Sequence, residues 1–219
     1  MKEGLGLEAG WGSLKRSNES CKRALEEIAA EVKKCRRCPL HATRTKAVPG
    51  EGDPCADVML IGEAPGYNED IQGRPFVGAA GNLLNEMLRV AGLSRGEVFI
   101  TNVLKCRPPG NRDPREGEIE ACKPFLIEQI EIVQPKIIVC LGRHSARVIF
   151  GLAGWRFSSI MKVRGNLRRA NMGGREVLIL PTLHPAAALY NPRLKDLLVS
   201  DFRLLGSVLN NQKGLDRWL

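Results

Sequence analysis

Short apolar segments alternate with amphipathic segments along most of this chain. The apolar segments have the length of buried strands and are bounded by turn-forming residues, and they lie at 58–62, 98–101, 136–142 and 177–181. Between and after them, apolar residues recur at helical spacing and predict helices at 83–91, 119–133, 144–150 and 194–209. Strands that alternate with helices are typical of an α/β fold, in which helices cover both faces of a mainly parallel sheet.

The first residues of the chain follow a different pattern. Residues 1–16 are rich in glycine and show no periodicity, so we interpret them as a loose N-terminal arm. Leu25, Ile28 and Val32 recur at helical spacing within a charged segment and predict a helix over 17–34. No linker, internal repeat or low-complexity tract interrupts the remainder, so we expect a single domain spanning 17–219.

The chain is basic, with a formal net charge of +9 over 219 residues and a pI near 9.4. A basic surface attracts nucleic acid, because binding releases the counterions of the polyanion. A protein whose charge serves only solubility can have the same excess of positive charge, so charge alone does not decide between nucleic-acid binding and solubility. No apolar run reaches the roughly 20 residues of a membrane span, and the N-terminus lacks a secretory signal. We therefore expect a cytoplasmic protein without membrane contact and, since no oligomerisation signal stands out, a monomer.

Seven cysteines in a reducing compartment are better candidates for metal ligands or for burial than for disulfides. Cys35 and Cys38 form a C-x-x-C pair, which lets two thiolates bind one metal. Cys106 follows the second predicted strand and Cys122 lies in the next helix, so the four thiolates converge if that loop packs against the N-terminal segment. The spacing leaves zinc, an iron–sulfur cluster and unrelated buried cysteines all open. Cys140 lies within an apolar strand, and we expect it to be a core residue.

The loops at the carboxyl ends of the predicted strands carry the chemistry of this sequence. In open parallel sheets, ligands bind at that edge. The loops after the first, second and last strands read GEAPGYNEDIQGRPFVG, NVLKC and LHPAAALYNP, and each is more polar or glycine-rich than a simple turn. Of the three histidines in the chain, only His184 lies on a loop predicted to face this edge.

The segments GEAPGYNED, GRPFVG, TNVLKC and LHPAA occur in an order that resembles the family 4 uracil-DNA glycosylases, the iron–sulfur type. The resemblance covers roughly residues 35–205. It implies an α/β/α sandwich with a central four-stranded parallel sheet, in agreement with the alternation of strands and helices. It also implies the removal of uracil from single- or double-stranded DNA. The implied cofactor is a [4Fe-4S] cluster of mainly structural role, held by Cys35, Cys38, Cys106 and Cys122.

The resemblance assigns the residues that bind a uracil flipped out of the stack. Asn102 matches the asparagine that reads uracil, and its amide donates to a uracil carbonyl while accepting from the ring N–H. Phe76 matches the aromatic residue that stacks on the base. Gly62 and Gly66 permit close approach of the backbone to the ligand. We expect Glu63, in the same loop, to shape the wall that excludes the thymine methyl group.

Cleavage of the glycosidic bond leaves positive charge on the sugar and negative charge on the departing uracil. His184 matches the histidine that hydrogen-bonds the forming uracil anion, and a positioned donor of this kind is worth about 3–4 kcal/mol in other enzymes. In the substrate-binding loop, Ala64 stands where the better-known family 1 enzymes place an aspartate, so the water-activating carboxylate comes from elsewhere. We expect Glu69 to orient the water, with Asp70 as the second candidate, and the alternative is that this acidic pair only caps a turn.

The run that follows His184 resembles the loop that wedges into the duplex and fills the gap left by the flipped base. Leu189 and Tyr190 are the candidate wedges, and Arg193 is the candidate phosphate contact. These three assignments depend on position within the loop alone.

Two other functions are compatible with the motifs. One is a related glycosylase that acts on other deaminated bases or traps its product covalently through a histidine. The covalent type carries a basic insertion, which is absent between Gly78 and Leu83. The other is a metal-bearing DNA-binding module without catalysis. The combination of Glu69, Asn102 and His184 argues against a mere binder, which needs only basic residues and shape.

Overall fold

The computed structural model describes residues 17–189 and 191–215, so the predicted arm, Tyr190 and residues 216–219 lie outside the described part. The strands are β1 (Glu51–Gly52), β2 (Val58–Gly62), β3 (Val98–Asn102), β4 (Ile137–Leu141), β5 (Arg168–Met172) and β6 (Arg175–Thr182). The helices are α1 (Asn18–Lys34), α2 (Tyr67–Gln72), α3 (Ala79–Val90), α4 (Glu116–Val133), α5 (Arg143–Leu152), α6 (Ile160–Val163), α7 (Pro185–Ala188) and α8 (Pro192–Leu215).

The six strands form one sheet in the order β1-β3-β2-β4-β6-β5. The four inner strands are parallel, and Leu60 in β2 pairs with Ile100 in β3 and with Val139 in β4. This arrangement confirms the predicted parallel sheet of four strands. At the two edges, β1 pairs antiparallel with β3 and β5 pairs antiparallel with β6. The hydrophobic pattern did not predict either edge strand.

Successive residues of the inner strands belong to two different hydrophobic clusters, as the alternation of a strand requires. Met59 and Ile61 join a cluster with α1, α4 and α5, whereas Val58 and Leu60 join a cluster with α3 and α8. The sheet is therefore covered on both faces, which confirms the three-layer sandwich. Cys140 is fully buried in the first cluster and is the core residue that the sequence predicts.

The long helices begin or end a few residues away from their predicted bounds, and three short helices were not predicted. α2 and α7 are two of these, and both lie in loops at the carboxyl ends of the strands. A helix of one or two turns has too few positions to show an apolar period. No helix in the described part of the chain is both long enough and apolar enough to cross a lipid bilayer.

Candidate active site

A cavity of about 300 Å³ opens at the carboxyl ends of the inner strands. This volume lies at the lower end of the range for small-molecule sites. The cavity brings together most of the predicted catalytic and base-binding residues, and its wall includes Glu63, Ala64, Gly66, Glu69, Phe76, Asn102 and His184. Its members come from the loop after β2, the end of β3 and the loop after β6, which are far apart in the sequence.

Asn102 is the last residue of β3, and its side chain is buried in the cavity wall with 1% of its surface exposed. Its Oδ1 atom is buried and has no hydrogen-bond partner among the described residues. Buried polar atoms in proteins are nearly always paired, so an unpaired acceptor calls for an explanation. An acceptor in the wall of a ligand-sized cavity is suited to take a hydrogen bond from a bound molecule.

Phe76 supplies the aromatic face of the cavity. Its ring lies against the imidazole of His184, with 5.6 Å between ring centroids and an interplanar angle of 29°. The Phe76 ring is buried and the His184 side chain is half-buried, and Gly62 lies beside the Phe76 ring without a side chain. A planar heterocycle that enters the cavity therefore meets an aromatic surface on one side.

His184 is the N-cap residue of α7, and its Nδ1 atom accepts a hydrogen bond from the backbone N–H of Ala186 at 3.1 Å. The proton of the neutral ring is therefore assigned to Nε2, the nitrogen that remains free to donate. Burial lowers the pKa of His184 to about 4, although the nearby charge of Glu69 acts in the opposite direction. At neutral pH the side chain is thus an uncharged hydrogen-bond donor.

Glu69 lies in the first turn of α2, and backbone amides fix the orientation of its carboxylate. Oε1 accepts from the N–H groups of Val77 and Gly78 at 2.9 and 3.0 Å, and Oε2 accepts from Gly66 at 3.1 Å. These bonds join the two halves of the glycine-rich loop. A carboxylate oxygen accepts about two hydrogen bonds, so Oε2 retains acceptor capacity beyond the bond from Gly66.

Asp70 does not share this cavity. Its carboxylate is 2% exposed, and it accepts hydrogen bonds from the backbone amides of Thr45 and Lys46 at 2.9 and 3.4 Å. These contacts attach α2 to the segment that precedes β1. The structure therefore does not bring Asp70 together with Glu69 and His184, and it gives this carboxylate a structural role instead.

The residues predicted to contact DNA lie beyond His184. Leu189 is half-buried and packs against the cluster that includes α3 and α8. Arg193 is exposed in the first turn of α8, and its backbone N–H donates to Oδ1 of Asn191 at 3.1 Å. Tyr190 lies outside the described residues. Leu189 and Arg193 do not line the cavity, so they stay predictions about the surrounding surface.

Sequence reasoning missed the contribution of the loop between β3 and α4. Pro108, Asn111 and Arg112 line the cavity, and the guanidinium of Arg112 forms a two-point ion pair with Glu118. The segment PPGNRDP is polar and follows the carboxyl end of a strand, so the rule that selected the other loops applies to it as well.

His144 also lies at the border of this site, although its position at the start of a helix did not predict this. Its Nε2 atom is 3.9 Å from a carboxylate oxygen of Glu63 and 3.5 Å from one of Asp113. Burial raises the pKa of Glu63, with a further increase from the charge of Asp113. Burial lowers the pKa of His144. The carboxyl group of Glu63 lies in the cavity wall and ionises less readily than a glutamate in solvent, because its pKa is raised.

Comparison with known proteins decides the family. A model of the uracil DNA glycosylase superfamily matches residues 49–203. The type-4 uracil-DNA glycosylase of Sulfurisphaera tokodaii is 58% identical over 181 residues, which cover 82% of each chain. The chain belongs to the type-4 uracil-DNA glycosylases. Two more members of the family are similar: that of Saccharolobus solfataricus is 52% identical over 86% of this chain and 88% of its own, and that of Archaeoglobus fulgidus is 46% identical over 87% and 96%.

In this type-4 glycosylase, the four predicted metal ligands line one cavity behind the loop that follows β3. Cys35 caps the C-terminus of α1, Cys38 precedes a short 3-10 turn, Cys106 lies after β3, and Cys122 lies on α4. The structure therefore brings together four cysteines that three separate segments supply. Cys140 lies in the core, and Cys21 and Cys55 do not line this cavity.

The surroundings of these sulfur atoms suit bound thiolates. The backbone N–H of Lys105 donates to Sγ of Cys122 at 3.3 Å, and that of Arg37 donates to Sγ of Cys35 at 3.4 Å. The Arg44 guanidinium lies 3.1 Å from Sγ of Cys106. Leu40, Leu104 and Phe125 complete the wall with apolar surface. Four soft donors with N–H···S hydrogen bonds in an apolar cavity fit zinc or an iron–sulfur cluster.

Proposed function

We propose that this protein binds a uracil flipped out of DNA in the cavity at the carboxyl ends of the strands and hydrolyses its glycosidic bond, leaving an abasic site. The observation that carries the proposal is the buried Oδ1 of Asn102 in the wall of that cavity, which has no hydrogen-bond partner within residues 17–189 and 191–215. An unsatisfied buried acceptor costs about 1–3 kcal/mol. The ring N–H of uracil supplies the missing donor, whereas neutral cytosine has no hydrogen on the equivalent nitrogen.

Phe76 and Glu63 complete the recognition of the base. The ring of Phe76 stacks on the pyrimidine, and base–aromatic stacking is typically worth about 1–3 kcal/mol. Glu63 forms part of the wall beside Ala64, and we assign to it the exclusion of the thymine methyl group. Binding in such a site takes the base out of its stack, so the chemistry occurs away from the duplex.

His184 stabilises the leaving group as a neutral donor. Its Nδ1 atom is occupied by the amide of Ala186, and its low pKa keeps the ring uncharged, so Nε2–H is the group that faces a developing negative charge. A preorganised donor is most effective where charge forms only in the transition state. His184 therefore accelerates cleavage more than it strengthens substrate binding.

Glu69 provides the negative charge on the sugar side. Glu69 and His184 line the same cavity, and the charge of Glu69 partly opposes the burial that lowers the pKa of His184. Both observations support a shared role. Three backbone amides fix the carboxylate, and its remaining acceptor capacity orients a water molecule towards the sugar. The same charge stabilises the oxocarbenium-like sugar that forms as uracil departs.

The DNA surface surrounds the mouth of the cavity. Arg193 is exposed at the start of α8 and is our candidate for a phosphate contact. Leu189 is our candidate for the wedge, together with Tyr190, which lies outside the described residues. The net charge of +9 favours a polyanionic partner.

We assign a [4Fe-4S] cluster to the cavity formed by Cys35, Cys38, Cys106 and Cys122. When bound, the cluster cross-links three segments of the chain, and no catalytic step uses it. The cross-link attaches α1 to α4 and to the loop that continues from Asn102. A cluster held by these four cysteines would fix the loop that leads from Asn102, the proposed base reader, to Cys106.

The proposed function is tested with oligonucleotides that carry one uracil, cytosine, thymine or hypoxanthine, followed by alkali to break abasic sites. We expect strand breaks at uracil only, and we expect His184→Ala, prepared identically, to lose almost all of them. This variant controls for a contaminating glycosylase. Faster cleavage at hypoxanthine would instead favour an enzyme for other deaminated bases. Binding without cleavage of any substrate would favour a DNA-binding module.

A further inference from the structure

The backbone of Phe76 adopts an unusual conformation in this site. Its φ of 50° lies in the left-handed region, which non-glycine residues seldom occupy and bulky residues occupy least. Such a conformation persists only when surrounding contacts over-determine it, and it occurs often at functional sites. The ring that this backbone carries lies against the imidazole of His184, so contacts that hold the turn also bear on the position of the aromatic wall.

Arg95 holds the carbonyl side of this turn. Its Nη1 donates to the carbonyl oxygen of Phe76 at 3.3 Å, and its Nη2 donates to the carbonyl oxygen of Pro75. Nη1 also donates to Oδ1 of Asn85 at 3.3 Å. Arg95 lies in the turn immediately before β3, so it reaches the loop from a different part of the chain. The planar guanidinium can donate to two successive carbonyls at once. The ammonium group of a lysine is a point charge and lacks this two-point geometry.

Glu51 orients Arg95 from the edge strand β1. Its Oε1 accepts from Nε and Nη2 of Arg95 at 2.9 and 2.7 Å, and its carboxylate also accepts from Arg74. The Arg95 and Glu51 side chains are 23% and 24% exposed, so solvent reaches this pair only in part. Burial opposes ionisation of Glu51, but the hydrogen bonds from Arg74 and Arg95 keep its pKa below the ordinary value.

The opposite side of the turn is fixed as well. Glu69 accepts from the amides of Val77 and Gly78, the residues that directly follow Phe76. At Gly81, a Cβ atom would lie 1.9 Å from the carbonyl oxygen of Phe76, so the first turn of α3 packs directly on this backbone. Glu69 inside the site and Arg95 outside it therefore hold the same segment, residues 75–78.

We infer that Arg95, oriented by Glu51, is a positioning residue that sets the stacking face of the base pocket by holding Phe76 in its left-handed conformation. The inference rests on the proposed function, because it assigns the stacked ligand to uracil. It adds β1, the edge strand that the hydrophobic pattern did not predict, to the parts of the fold that shape the pocket. Arg95 touches no substrate, and it acts through Phe76.

The test measures the affinity of the pocket for free uracil, as inhibition of cleavage of uracil-containing DNA. Arg95→Lys keeps the positive charge but loses the planar guanidinium with its paired donors, and Arg95→Met loses both. We expect each to raise the inhibition constant of uracil by about tenfold or more, as the loss of a well-placed charged hydrogen bond does elsewhere. Arg74→Met is the matched control, because the Arg74 side chain binds the same carboxylate, whereas the side-chain hydrogen bonds to the Pro75 and Phe76 carbonyls come from Arg95.

A double-mutant cycle separates positioning from general stability. In a Phe76→Ala background, Arg95→Met should hardly change the inhibition constant of uracil, because the ring that Arg95 positions is already absent. The thermal midpoint should fall to the same extent in both backgrounds. Equal effects of Arg95→Met on uracil inhibition with and without Phe76 would overturn the inference. A loss in Arg74→Met as large as that in Arg95→Met would do the same.

The parent protein provides the reference that keeps the two proposals apart. If it fails to cleave uracil-containing DNA, the proposed function fails. If it cleaves, and free uracil inhibits Arg95→Lys and Arg95→Met as strongly as the parent, only the role of Arg95 is refuted.

Discussion

The side-chain oxygen of Asn102 lies 2.3 Å from the position that a Cβ atom would take on Gly62. The two residues are paired at the ends of the neighbouring parallel strands β2 and β3. Ring atoms of Phe76 lie 2.7 and 2.8 Å from the same position. Any side chain on Gly62 would therefore displace the proposed base reader, the proposed stacking ring, or both.

Gly62→Ala should reduce the rate of uracil removal by about 100-fold or more. The added methyl group displaces Asn102 or Phe76, and in other enzymes a shift of about 1 Å in a positioning group costs a factor of this size in rate. The expected change appears in single-turnover cleavage, and inhibition by free uracil should weaken in parallel. Gly151→Ala is the matched control, because a Cβ at that position on α5 meets no atom within 4 Å. If Gly62→Ala cleaves at the rate of Gly151→Ala, Asn102 and Phe76 do not define the base site.

Asn102→Asp should weaken uracil removal strongly. A carboxylate cannot donate to a uracil carbonyl, and its charge repels the uracil anion that forms. Weak activity on cytosine is the second expected result, because a protonated carboxyl group suits the edge of that base. The rates on uracil- and cytosine-containing strands are compared with those of Asn171→Asp, an exposed site of the same chemistry. Unchanged kinetics on uracil would show that Asn102 does not read the base.

His184→Ala should slow single-turnover cleavage by about 10²–10³-fold, the cost of removing a positioned donor to a developing charge. Binding to a non-cleavable uracil analogue should change little by comparison. Arg193→Ala should behave in the opposite way and lower both the affinity and the salt dependence of binding, with a nearly intact rate at saturating enzyme. If His184→Ala cleaves at the parent rate once saturated, the catalytic assignment is wrong.

The low pKa of His184 predicts the pH dependence. A histidine of ordinary pKa would give an inflection in the single-turnover rate near pH 6.5, and we expect none from this residue, whose pKa is about 4. Between these values the unfolded chain binds a proton that the folded chain does not. The contribution of His184 to stability therefore falls as the pH decreases through this range. Rates from about pH 5.5 to 8 and thermal midpoints in the same buffers check both statements, and an inflection near 6.5 that vanishes in His184→Gln would contradict the first.

Purified protein should be brown and contain about four irons per chain, since four converging thiolates are assigned to a cubane. Cys106→Ala should lose colour and solubility together, because the cavity then lacks a ligand from the loop after β3. Cys55→Ser, outside that cavity, should keep its iron. Stoichiometric zinc without iron after anaerobic purification would refute the cluster.

The parallel centre of the sheet was predictable because each inner strand is a continuous apolar run that only a doubly covered strand can bury. The edge strands were not. β1 has two residues, and β5 is largely exposed, so neither carries an apolar signal. The sequence did contain one signal for β5, the pair Gly173-Gly174, because paired glycines favour tight hairpins. Both glycines have positive φ at the turn from β5 to β6.

The site was predictable to a similar degree. The position of the three loops at one edge followed from the rule that the carboxyl ends of parallel strands meet there. The roles predicted for Asn102, Phe76 and His184 came from the family resemblance, and Glu69 was chosen as the nearest carboxylate. Asp70 shows the limit of that reasoning. It is adjacent to Glu69 in the sequence, but successive positions on a helix face different directions, and its carboxylate binds Thr45 instead.

The sequence by itself determined the apolar strands, the order of the loops and the cysteines available to a metal. Only the tertiary structure decided which polar groups meet and which remain unpaired. Among the described residues, the buried Oδ1 of Asn102 has no partner. Packing of distant segments brings Arg95 within hydrogen-bond distance of the Phe76 carbonyl and of Glu51. The physical reason is that a periodic pattern specifies the buried face of an element, whereas hydrogen bonds between loops depend on distances that exist only once the elements have packed.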